Sequence, residues 1–116
     1  MNYDEMRWEE ISIAVTRIVQ NCKDWNFNKE NNYFYWKNHG LVDIGIIPVT
    51  DYSKVENAWP IIVDNMISIE FDAEDQCDSP ASWCNARSLL TEHSCIHQKN
   101  PIRAAMICFL MMNDVK

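Results

Sequence analysis

Asn100-Pro101-Ile102-Arg103 leads into AAMICFLMM, residues 104–112, a run without a single charge. Asparagine is a favoured N-cap, and proline is best tolerated at the first helical position, where its missing N–H costs no intrahelical bond. The pair therefore marks a helix start. A helix with no polar face is buried nearly all round, in a core or at a subunit interface, so this segment speaks of fold more than of chemistry.

Moving toward the N-terminus, Met66 to Asp72 alternates. Ile67, Ile69 and Phe71 fall on one face and Ser68, Glu70 and Asp72 on the other, the pattern of a half-buried strand. Residues 81–87 read as a fourth strand pairing back on it, and the stretch from there to Asn100 reads as less regular. Ahead of the alternating strand, Ala58, Ile61, Ile62 and Asn65 frame a short helix. Ser53 with Glu56 forms a capping box for it, and Asn57 is a second candidate cap. A start at Asn57 leaves Pro60 harmless in the first turn, whereas a start at Ser53 puts it in the interior.

Tyr33 to Lys37 and Leu41 to Val49 read as strands, joined by the Asn38-His39-Gly40 turn signal into a hairpin, the second ended by Pro48. Lys23 to Asn32 is rich in Asn and charge and reads as a loop, with Trp25 and Phe27 packing inward. Ile11, Ala14, Val15, Ile18, Val19 and Cys22 recur at helical spacing after a capping-box relation between Asn2 and Glu5. They give an amphipathic helix over about residues 3–22. The fold class expected is α+β: one compact domain over residues 1–116, a mainly antiparallel sheet packed by about three helices, in the order αββαββα.

The chain has 116 residues, 47% of them apolar, enough for one real core. Its two glycines, Gly40 and Gly45, exclude glycine-rich phosphate loops. A net charge of -7 opposes DNA, RNA and anionic lipid, so neither nucleic acid nor membrane is an expected partner. Five cysteines, an odd number in mixed contexts, do not make a disulfide framework. The N-terminus MNYDEMRWEE lacks a secretory signal, and the longest apolar run is about half of what a bilayer span needs. A reducing cytoplasm is the expected location.

His93, Cys95 and His97, spaced by two, would share one face of a strand, with Cys84 or Cys77 as a fourth zinc ligand. That spacing is strained for one tetrahedral ion and matches no known finger, so no metal and no cofactor is expected. Cys95 between two histidines can also be drawn as a nucleophile, but nothing supplies an orienting partner. The acidic run Glu70, Asp72, Glu74, Asp75 and Asp78 reads as a solvated loop.

Arg103 and Asn100 at a helix N-terminus could hold an anion, with Arg87, Lys99 and an aromatic wall from Trp59 completing a small pocket. Against this, Arg103 is expected to pair with Glu70 or a similar strand acid, and Trp59 to be core, since it precedes a helix-packing IIV run. Met106, Met111 and Met112 read as core or as the seam of a homodimer.

Two blocks, AWPIIVDNMISIEFD at Ala58 to Asp72 and NPIRAAMICFLMM at Asn100 to Met112, resemble the NinX-like proteins of tailed bacteriophages and their prophages. The N-terminal helix fits in kind. The longer IGIIPVTDYSKVEN before the first block and the Cys77 to Gln98 region depart from the family pattern. The order of elements and the final arginine-alanine-alanine helix are also similar to phage αβα-sandwich domains, a likeness of fold alone. The resemblance implies a phage-encoded accessory protein made in the bacterial host cytoplasm, and it brings no catalytic or binding residues with it.

No residue constellation names a reaction. The expected role is therefore a noncatalytic module that binds a host or phage protein. The alternative is an anti-defence protein that sequesters a small anionic ligand such as a nucleotide signal, and a homodimer suits either.

Overall fold

A computed structural model describes residues 3–37, 44–73 and 82–113. A short 3-10 turn, Tyr3–Glu5, precedes α1 (Trp8–Val19). There follow β1 (Asn26–Asn28), β2 (Tyr33–Lys37), β3 (Ile44–Pro48), α2 (Val55–Asp64), β4 (Ile67–Ala73), β5 (Ser82–Ser88), β6 (Ser94–Gln98) and α3 (Pro101–Met112). The α+β class and the order αββαββα hold, with one short strand added to each half, β1 and β6. The strands form two antiparallel sheets, β1-β2-β3 and β4-β5-β6. The Asn38-His39-Gly40 turn and most of the acidic run lie outside the described residues.

α3 begins as its sequence requires. The Asn100 side-chain oxygen accepts from the backbone N–H of Ile102 at 2.9 Å and of Arg103 at 3.1 Å, which satisfies two of the donors a helix start leaves unpaired. Every residue from Ala104 to Leu110 is buried. α3 runs across the inner face of the second sheet and is covered on its remaining sides by α1 and α2. The all-round burial that its composition demands is thus met within one chain and needs no second copy.

The inner face of that sheet carries Ile67, Ile69, Cys84, Ala86, Ser88 and Cys95, which the register sets opposite one another. Its outer face carries Ser68, Glu70, Asn85 and Arg87, and there the exposed Arg87 guanidinium meets Glu70 at 3.2 Å. α1 and α2 pack on α3, so the described helices lie to one side of the sheet, unlike the two-sided cover of an αβα sandwich.

Helix boundaries differ from the sequence reading for local reasons. α1 starts at Trp8, where the Glu10 carboxylate accepts from the Arg7 N–H at 3.4 Å. It stops at Val19 because Asn21 turns into the left-handed region at φ 53. The N–H of Cys22 then reaches the Arg17 carbonyl and that of Asn21 the Ile18 carbonyl, a Schellman closure that asparagine tolerates. α2 starts at Val55, ahead of Asn57, so Pro60 stands inside the helix on its exposed side. The expected Ser53–Glu56 capping box is replaced by an Asp51 turn, in which the carboxylate accepts from the Ser53 N–H at 3.0 Å and its hydroxyl at 2.6 Å.

The first sheet stands apart from the main core cluster. It meets the body near the end of α1, where Phe34 is fully buried, Phe27 packs on it at 5.1 Å between centroids, and the Arg17 guanidinium lies 4.7 Å over the Phe34 ring. The molecule extends 67 × 30 × 27 Å.

Candidate docking surface on the second helix

The residues nominated from sequence do not converge. Asn100 and Arg103 meet at the start of α3, where the Asn100 oxygen is occupied by the two capping bonds. The Arg103 guanidinium donates to the Tyr3 carbonyl at 3.2 Å, tying the N-terminal turn to α3, while Glu70 is held by Arg87 and not by Arg103 as expected. Arg87 is on the sheet face turned away from α3, Lys99 is exposed in the turn before that helix, and Trp59 is on α2. Among the described residues, two open cavities are lined as follows. One, of about 340 Å³, is lined by residues including Trp8, Asn32 and Asp51, and the other, of about 420 Å³, by residues including Met6, Ile13, Arg17 and Leu110. None of the five nominated residues lines either cavity.

The thiols are placed for packing. Cys22, Cys84, Cys95 and Cys108 are buried thiols. Burial pushes the Cys22, Cys84 and Cys108 thiols up, which disfavours the thiolate that nucleophilic or ligand chemistry requires. Cys84 Sγ lies 3.1 Å from the Gln98 carbonyl, and Cys108 Sγ lies 3.6 Å from that of His93. The His93 ring nitrogen Nδ1 meets the Thr91 hydroxyl at 2.9 Å. Among the described residues no group of three or more His, Cys, Asp or Glu side chains is placed to hold a metal ion. Cys77 and the His97 side chain lie outside the described part.

α2 carries the feature that sequence reading missed. Its inward side is Ala58, Ile61 and Ile62, all buried. Val55, Trp59 and Val63 recur every four residues and so form a second apolar row on the flank of the helix. They are 56%, 55% and 54% exposed, and Met66, just past the helix end, is 51% exposed. The expectation that Trp59 is core is therefore overturned: the core is already filled by the neighbouring face of α2, Ala58, Ile61 and Ile62. Met66 itself takes φ 50, a left-handed value uncommon for a long side chain, and its carbonyl accepts from the Leu89 N–H at 3.0 Å. Leu89 and Leu90 beyond it are more than half exposed.

Beside the apolar row runs a second one of the same spacing, Glu56, Pro60 and Asp64, exposed throughout. The outer surface of α2 is thus striped, one row apolar and one acidic. The four residues present on the order of 400 Å² to water, the size of the largest apolar patch on an ordinary monomer, which is often functional.

A family model described as Bacteriophage P22, NinX matches residues 2–113 of the chain. No curated protein and no solved structure matches it. Among the described residues no helix is long and apolar enough to cross a membrane.

Proposed function

The chain belongs to the Bacteriophage P22 NinX family, and we propose that it works as a noncatalytic phage accessory module that binds a host or phage protein through α2. The observation that carries this reading is the row Val55, Trp59, Val63 and Met66, each more than half exposed on the flank of a helix whose neighbouring face, Ala58, Ile61 and Ile62, already fills the core. Apolar area of this kind costs free energy while it faces water, at roughly 25 cal/mol per Å², and covering it with a complementary protein surface recovers that cost. An exposed tryptophan at the centre of such a row is the residue type that most often dominates a protein interface.

The test is photo-crosslinking in infected host cells, with a benzophenone amino acid at position 59. A discrete crosslinked protein that disappears when Val63→Asp is added, while circular dichroism remains native, is the expected result. If position 59 yields only scattered adducts that Val63→Asp leaves unchanged, the reading is wrong.

A further inference from the structure

The partner's chemistry is written in the second row of α2. Resting on the docking reading above, we infer that α2 receives an amphipathic helical segment of another protein that carries an apolar row flanked by Lys or Arg. Glu56 and Asp64 stand one turn to either side of Pro60, in a row about 100° around the helix from Val55, Trp59 and Val63 and on the side away from the core. A helix that lays its apolar row against theirs brings its own flanking positions over these two carboxylates. Like charges there are repelled and basic ones attracted, so the acidic row selects among segments that the apolar row alone would accept equally.

The length of the row fits a helix. Val55 to Val63 is two turns and a little more, about 12 Å at the standard helical rise, which matches anchors at i, i+4 and i+8 of a facing helix. A second copy of this chain is the less complementary occupant. It brings the same acidic row, within a net charge of -7, to a surface that is already acidic. A two-fold pairing of antiparallel α2 helices would set acid against acid.

The experiment uses the full chain and three dye-labelled peptides of one length and one Leu/Ala pattern, with the flanking positions all Lys, all Gln or all Glu. Fluorescence anisotropy at low salt should show the Lys peptide binding at least ten-fold more tightly than the Glu peptide, with the Gln peptide between them. The preference should shrink as salt rises. In the Glu56→Lys/Asp64→Lys double variant the order should invert, and Trp59→Ala should weaken all three peptides.

Equal binding of the three peptides, or a preference that the double variant leaves unchanged, overturns the basic partner. So does a dimer in sedimentation equilibrium that Val63→Asp dissolves, because the second copy is then the occupant. Failure of every peptide while position 59 still crosslinks a protein overturns the basic helix alone and leaves the docking reading standing. Failure of both removes the two together.

Discussion

Gly45 shows how a single residue is held to its type by packing. It stands opposite Trp36 in the β2–β3 pair, and the Trp25 ring lies across it so closely that a Cβ would fall 2.8 Å from the ring carbon Cη2. Gly45→Ala must push that ring aside, and overpacking of this kind costs about 1 kcal/mol or more. In a Trp25→Ala background the same change should cost nothing, so urea denaturation of the four proteins should give a coupling of about that size. Additive losses would mean that the ring moves freely. Sequence reading placed Trp25 inward, which its position over Gly45 bears out, but it misplaced Trp59. The reason is physical: α2 offers apolar side chains on two sides, Ala58, Ile61 and Ile62 on one and Val55, Trp59 and Val63 on the other. Periodicity finds both rows and cannot say which of them meets α3.

At the scale of elements, legibility followed capping and length. α3 was readable because asparagine, proline and an uninterrupted apolar run agree, and β4 because seven residues alternate without a break. β1 spans only three residues, and β6, as long as β2 and β3, is mostly polar where they are aromatic or branched, so neither carries a strong propensity signal. Neighbours supply their pairing, β2 through Phe27 and Phe34, and β5 through Cys95 and Ala86 past a register shift. The spacing of two in His93, Cys95 and His97, read as a possible ligand set, is the period of the strand to which Cys95 and His97 belong. The cap is the part of α3 that can be weighed alone. Asn100→Ala leaves the Ile102 and Arg103 N–H groups without their acceptor and should cost about 1 kcal/mol. That lowers Tm by roughly 4 °C in a domain of this size. Asn100→Asp, which keeps an oxygen in place and adds a charge favourable to the helix N-terminus, should stay close to the original. A calorimetric scan in which both variants melt alike would show that water replaces the cap at no cost.

At the scale of the whole molecule, stability is unevenly distributed. The helices and the second sheet share one buried cluster built around α3, whereas the first sheet is fastened mainly where Phe34, Phe27 and Arg17 meet. Arg17 serves both parts, since its guanidinium also donates to the Lys23 carbonyl at 2.9 Å and holds the chain that leads into β1. Two α1 hydroxyls complete the joint, Thr16 accepting from the Thr50 N–H and Ser12 from the Tyr52 N–H on the return path to α2. A radius of gyration of 16.8 Å, against about 13 Å for a spherical domain of this length, fits an extended arrangement of the two parts. Segments with few buried contacts open at lower free energy than the core does. Phe34→Ala removes the one fully buried ring of the joint, a loss of about 3 kcal/mol or more if the site cannot collapse. Hydrogen exchange should then show β1, β2 and β3 losing protection together, while the amides of α3 and β5 exchange as slowly as before. If α3 loses protection in step with the first sheet, the chain unfolds as one cooperative unit, and the joint at Phe34 carries the stability of the body as well as that of the arm.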